Sequence, residues 1–291
     1  MAVGALFVST SSVWISLSGT SPGTASTFRC ALTLPFLGLL VWRERRREGA
    51  LMRPHRTRSV LAGALFSADM LLWTRAIAEV GAGLSTVLVN LQVVLVPALA
   101  WLVHREPVTR RYLLAIPVVL LGVVFTAGVL DGGGAGTEPV RGAVHAVLAA
   151  LCYSGFLFLL RRGGHNGQIV QSYAVVTASA AVVSAAAGLA WHGLDLSPGW
   201  TAVGWLALAA ACGQVVGWLL VAVHSPRLPS HVGATLLLLT PAGALGLGAL
   251  VLDERPTPLQ LLGCALVLGS VVAVTSERAS RPARGTRQKC T

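Results

Sequence analysis

One rhythm constrains this chain more than any other feature. Stretches of about 20 mostly apolar residues, the length an α-helix needs to cross a bilayer's hydrocarbon core, recur along it between short Arg-, Gly- or Pro-rich breaks. Ten such windows follow one another: Val3–Gly19, Ala25–Trp42, Ser59–Val80, Gly83–Val103, Tyr112–Leu130, Gly142–Leu160, Ile169–Trp191, Trp200–His224, Val232–Leu252 and Leu259–Thr275. Soluble domains usually carry about 25% charged residues. Here 11% are charged and 54% hydrophobic, with a mean hydropathy of +0.72. The pattern predicts an all-α polytopic membrane protein with ten transmembrane helices, since each helix satisfies its own backbone amides in lipid. No stretch is left over for a soluble domain, and Met1–Gly19 lacks the basic start of a cleaved signal, so it reads as the first span.

A net charge of +11 would suggest nucleic acid as partner for a soluble protein. The arginines explain it otherwise. Arg43, Arg45, Arg46, Arg47, Arg53, Arg56 and Arg58 fill the 2–3 loop, Arg105, Arg110 and Arg111 flank the 4–5 turn, and Arg161 and Arg162 open the 6–7 loop. Arg227 and the tail from Arg278 to Lys289 complete 18 of the 22 basic residues on one side. Basic loops stay cytoplasmic, so both termini are expected in the cytoplasm, and the basic charge is topology rather than a nucleic-acid footprint. The five cysteines are scattered without ligand spacing, so neither a disulfide framework nor a metal site is expected.

An internal repeat follows. Gly83–Gly122 reads as span, turn Glu106-Pro107-Val108-Thr109, span; Val232–Gly269 reads as span, turn Glu254-Arg255-Pro256-Thr257, span. Further back, Asp69-x-x-x-Trp73 in span three matches Gln214-x-x-x-Trp218 in span eight. With five spans per half, an odd number, the second half must be inserted upside down. Inverted repeats are a transporter architecture whose site lies near the midplane between the halves.

With these motifs the sequence resembles the EamA-domain branch of the drug/metabolite transporter superfamily. The residues that carry the resemblance are Arg29, Ala82–Thr86, Glu106–Thr109, Thr240-Pro241, Leu252–Thr257 and Gln260-Leu261-Leu262-Gly263 through Gly269. The first repeat departs from the second in having Val93 where the second has Pro241. The resemblance implies a five-plus-five inverted-repeat carrier of the inner or plasma membrane. Its expected units are residues 1–130, a linker 131–141, residues 142–275, and a basic tail 276–291.

Asp69 is the eleventh residue of its span, hence near mid-bilayer at 1.5 Å per residue. An intramembrane carboxylate is a functional hypothesis by default: it reads as a substrate-amine or proton site, or as a structural bond to the helix bearing Gln214. Trp73, at i+4, shares its face; Trp73 and Trp218 are candidate cavity walls or plain packing. Arg29 and Arg75 each lie about five residues from a span end, roughly 7–8 Å deep. They read as a guanidinium pair for a carboxylate or phosphate, or as snorkelling and gate contacts with Glu79 or the Asp253–Glu254 turn. Asn90 and Gln92 point to different faces, one toward a cavity and one toward a neighbouring helix. Glu106 and Glu254 suit capping or hinge roles at their turns, and His145 an interfacial place. Gly213-x-x-x-Gly217 allows close helix approach, and Asp131–Gly136 is a linker, not a phosphate loop.

The expected function is therefore a secondary transporter, an exporter of a small polar or amphipathic metabolite such as an amino acid or drug-like compound, working by alternating access. The site residues are Asp69, Trp73, Arg75, Asn90, Gln92, Gln214, Trp218 and Arg29. The expected partners are a small-molecule substrate and the lipid bilayer, with a homodimer compatible with the fold, and no cofactor is expected. An intramembrane enzyme would need converging acid/base or metal groups, and a scaffold would not require the repeat.

Overall fold

In the computed structural model, residues 2–105, 110–126, 138–163, 168–218, 220 and 239–276 are described. Among them every regular element is helical: α1 Ala2–Ser18, α2 Pro22–Glu48, α3 Arg53–Val80, α4 Ala82–Val89, α5 Gln92–His104, α6 Arg110–Thr126, α7 Pro139–Gly163, α8 Ile169–Ala187, α9 Trp200–Leu208, α10 Leu239–Val251 and α11 Pro258–Ser276. α8 runs on as a π-helical turn, Gly188–His192, and α9 as a longer π segment, Ala209–Gly217. Six stretches are long and apolar enough to cross a membrane: Pro22–Glu48, Arg53–Val80, Ala82–Val103, Pro139–Leu159, Ile169–Ala190 and Trp200–Gly217. Shorter apolar helices are Ala2–Ser18, Leu113–Thr126, Leu239–Val251 and Pro258–Ser270. The chain is a multi-pass membrane protein. The expected turn Glu106–Thr109, residues 131–137 of the linker, the 8–9 loop with Arg227 and residues 277–291 of the tail lie outside the described residues.

Span four is not one helix. At Asn90 and Leu91 the amide bonds tighten to i−3, Asn90 to the Val87 carbonyl at 3.1 Å and Leu91 to Leu88 at 3.0 Å. Asn90 Nδ2 donates to the Thr86 carbonyl at 2.8 Å, supplying the partner that its displaced backbone amide no longer gives. A polar side chain thus compensates the break, as the interior of a bilayer demands.

The connections gather at two ends. At one, Ser21 Oγ donates to the Gly193 carbonyl (2.6 Å), the Asp195 amide donates to Thr24 Oγ1 (2.9 Å), and the Glu138 amide donates to the Glu79 carbonyl (3.1 Å). Glu254 reaches the start of α4 at this same acidic end. At the other end, the α2–α3 turn is clasped by α8: Gln168 Nε2 donates to the Glu48 carbonyl and Gln171 Nε2 to that of Gly49. α1 and α3 therefore finish at the acidic end, where α7 and α9 begin.

Lipid tails are as apolar as Leu, so helices in a membrane associate by close packing and polar bonds rather than by the hydrophobic effect. Both devices are present. α3 packs along α7, and a Cβ at Gly142 would lie 2.7 Å from Val80 Cβ, so only glycine permits that approach. α3 meets α8 through paired hydroxyls, Ser59 with Ser172 and Ser67 with Ser184, both at 2.8 Å. α6 lies along α11, with a Cβ at Gly122 placed 3.0 Å from the Gly263 carbonyl oxygen. The repeat-related Gly269 meets nothing within 4 Å. α2 lies along α8, α4 along α10, α5 along α7, and α1 against α10 and the π segment of α9.

Candidate functional site

The interior between α1, α2, α3, α8 and the π segment of α9 holds an unusual density of polar side chains. Arg29 on α2 is 5% exposed and Asp69 on α3 is 6% exposed. Arg29 Nε and Nη1 and Asp69 Oδ1 are buried without a protein hydrogen-bond partner. The two charges lie within each other's electrostatic reach but form no ion pair. Trp73 lies one turn along α3 from Asp69, with the Arg29 guanidinium carbon 5.5 Å from its ring centroid. A guanidinium over an aromatic face is stabilised by about 0.5–2 kcal/mol, and this contact leaves Nε and Nη1 without a protein partner.

More groups of the same kind surround this pair. Trp14 Nε1, Trp73 Nε1, Gln214 Nε2 and the Tyr173 hydroxyl are buried and unpartnered, as are Ser26 and Thr27 beside Arg29. Gln214 is fully buried on the π segment, its Oε1 accepting from Thr33 Oγ1 at 3.3 Å. π segments widen a helix locally and are frequent at functional sites; here it is Gln214's side chain that the wider turn carries. Beside the polar groups lies an aromatic wall. Phe66 stacks on Phe156 (4.7 Å between centroids), and Trp218 meets Phe156, Tyr153 and Tyr173 at 6.4, 6.2 and 6.5 Å.

The residues singled out in the sequence do not all converge. Asp69, Trp73, Arg29 and Gln214 come together. Trp218 joins the aromatic wall, while Trp73 packs with Trp14 and Phe28 instead. Gln92, at the start of α5, has an unpartnered Oε1 and neighbours Tyr153. Asn90 is engaged in its own helix. Arg75 is parted from Arg29. Its Nε bonds Glu79 Oε1 at 3.1 Å, and Glu79 also takes Arg141 Nε (3.5 Å) and His145 Nδ1 (2.5 Å). The expected guanidinium pair is thus replaced by two separate arrangements, one interior and one at the acidic end. Arg29 is buried, whereas about a third of the Arg75 side chain is exposed. Tyr153, Tyr173, Thr33 and Phe156 were missed by sequence reasoning, although Tyr153, near mid-span, is itself a signal, because a tyrosine hydroxyl needs a partner when buried.

The turn glutamate Glu254 has a defined task. Its carboxylate accepts from the amides of Ala82 (2.5 Å) and Gly83 (3.0 Å), capping α4 from the opposite half of the chain. Among the described residues no three His, Cys, Asp or Glu side chains converge on one point.

A sequence profile of the EamA-like transporter family matches residues 1–128 and 140–276. No curated protein matches the chain. A solved structure titled "Crystal structure of protein" is similar, with a TM-score of 0.64 over 95% of this chain and 95% of that chain at 18% identity. At that identity the likeness speaks to fold alone.

Proposed function

The chain belongs to the EamA-like transporter family, and on that premise we propose a secondary carrier of a small polar or amphipathic metabolite, of the amino-acid or drug-like kind. The observation that carries this reading is the Arg29–Asp69 arrangement: two buried opposite charges that face the same interior without touching. A buried charge lacking a direct partner is costly. A ligand with an anionic group for the Arg29 edge and a cationic group for Asp69 satisfies both, with Trp73 and the Phe156–Trp218 wall taking its apolar part. Guanidinium geometry suits a carboxylate in bidentate contact.

Alternating access about this site is supported by the way the halves relate. α1 and α3 finish where α7 and α9 begin, as inversion of a five-span repeat requires. Contacts also pair off on exchange of halves: α2 with α8, α4 with α10 and α6 with α11 match themselves, and α3 on α7 matches α1 on α9. Ten spans, cytoplasmic termini in the cell membrane and outward transport complete the reading. No nucleotide-binding motif occurs in the sequence, so the driving force would be a substrate or proton gradient, with Asp69 the candidate proton carrier.

The test is flux in proteoliposomes using phenylalanine, its methyl ester and its N-acetyl derivative. The zwitterion is expected to be carried best. Arg29→Gln should remove discrimination against the ester, and Asp69→Asn discrimination against the N-acetyl form together with the pH dependence of transport. Equal flux of all three compounds, or pH dependence unchanged in Asp69→Asn, would refute these roles. Cysteines placed along α3 and the π segment of α9 should be protected from one side at a time; protection independent of side would count against a carrier of any kind.

A further inference from the structure

We propose that the α2–α3 hairpin is a docking surface for the headgroups of anionic phospholipids in the leaflet it meets. The hairpin outreaches the bilayer. α2 has 27 residues and α3 has 28, about 40 Å each at 1.5 Å per residue, against a hydrocarbon core of about 30 Å. The joined ends therefore stand in the headgroup zone, and all seven arginines between Arg43 and Arg58 are exposed there.

The faces decide where these arginines point. On α2, Phe36 and Leu39 are 58% and 56% exposed, which marks the side turned to lipid tails. Arg43 and Arg46 continue that stripe at helical spacing, and Arg46 lies 3.9 Å over the ring of exposed Trp42, a residue type suited to the interface. On α3, exposed Val60 and Leu61 mark the tail-facing side, and Arg53 and Arg56 precede Val60 by seven and four residues, on the same face. Arginines that carry on a tail-facing stripe past the core face headgroups, not the cavity.

Charge and rigidity agree with this placement. Of the two glutamates between Arg43 and Arg58, Glu44 is turned inward: its carboxylate accepts from the amides of Val170 (2.9 Å) and Gln171 (2.7 Å) at the start of α8. It therefore caps a helix rather than neutralising its neighbours, and among the described residues none of the seven arginines is ion-paired. Gln171 also fixes the turn from both sides, donating to the Gly49 carbonyl at 2.8 Å and accepting from the Leu51 amide at 3.1 Å. The basic surface is thus held in shape before any lipid arrives, so ordering it costs little on binding. Clusters of four to eight basic residues directly beside a span attract anionic lipid.

The purified full-length chain, reconstituted with an equal mixture of phosphatidylcholine and phosphatidylglycerol, tests the proposal through the lipid it retains in native mass spectrometry. Phosphatidylglycerol should be enriched severalfold, and the preference should collapse between about 0.1 and 1 M salt as the screening length falls from roughly 10 Å to 3 Å. Combining Arg43→Gln, Arg46→Gln, Arg53→Gln and Arg56→Gln should abolish it, and lysine at the same four positions should restore it. Removing four tail charges instead (Arg278, Arg281, Arg284 and Arg287 to Gln) should leave it in place. A preference that survives the hairpin variant, that is lost equally in the tail variant, or that is absent from the wild type overturns the proposal, whichever way the transport experiments fall.

Discussion

Neutralising Glu254 should destabilise the protein far more than neutralising another carboxylate at the same end of the bundle. Glu254 Oε1 and Oε2 take the Ala82 and Gly83 amides at 2.5 and 3.0 Å, two of the donors that open α4 and have no partner within that helix. A hydrogen bond to a charged group contributes about 1.5–3 kcal/mol, and a carboxylate at a helix N-terminus adds about 0.3–2 kcal/mol through the helix dipole. Glu254→Gln keeps one acceptor oxygen for two donors and sets an NH2 group against the second amide. The expected loss is about 2–4 kcal/mol, one charged bond plus the dipole contribution. Relief by rearrangement is obstructed, because glycines at 83 and 248 leave the carboxylate seated directly on backbone: a Cβ at Gly83 would stand 3.2 Å from Glu254 Oε2, and one at Gly248 would collide with it. Glu138 supplies the comparison. It pairs with Arg141 at 3.0 Å, but both side chains are about half exposed, and such pairs contribute about 0–1 kcal/mol. Unfolding in mixed micelles with rising SDS, followed by fluorescence of the eight tryptophans, would measure both variants. If Glu254→Gln falls within about 0.5 kcal/mol of Glu138→Gln, the spread of ordinary surface substitutions, the cap does not carry the stability assigned to it.

Two further outcomes follow from the packing. Gly142→Val should weaken the α3–α7 contact, since its branched side chain starts 2.7 Å from Val80 Cβ and 3.0 Å from the Val80 amide nitrogen; overpacking of this kind costs about 1–3 kcal/mol, readable as a lowered midpoint in the same unfolding assay. Arg75→Lys should leave substrate affinity within about twofold of wild type, because Arg75 is engaged with the buried carboxylate of Glu79 at 3.1 Å rather than with the Arg29–Asp69 group; a tenfold loss in proteoliposome affinity would restore Arg75 to the binding site.

The Glu254 and Arg75 cases also show how the sequence could be read and where reading stopped. The repeated Glu-x-x-Thr turns pointed to a capping glutamate, since turn carboxylates favour helix N-termini. They did not say which helix is capped, and the helix is α4, more than 170 positions away in the chain. The separation of Arg29 from Arg75 has the same origin. Residue counting gives depth along a span, because a helix rises by a fixed amount per residue. It says nothing about which neighbour a given face meets once helices rotate and pack.

Apolar runs of spanning length, the arginine-rich loops and the repeated turn motifs determined by themselves that this chain is an all-helical membrane protein and what family it resembles. They suffice because a bilayer enforces helices wherever the chain lies within it, leaving backbone bonding no alternative to local closure. Only the tertiary structure decided that span four breaks at Asn90–Leu91, that Gln214 rides on a π segment, and that Arg29 rather than Arg75 shares the interior with Asp69 and Trp73. Those outcomes depend on glycine contacts such as Gly142 on Val80 and hydroxyl pairs such as Ser67 with Ser184. Such contacts join residues distant in the chain, and in a membrane they, rather than hydrophobicity, choose which helix faces meet.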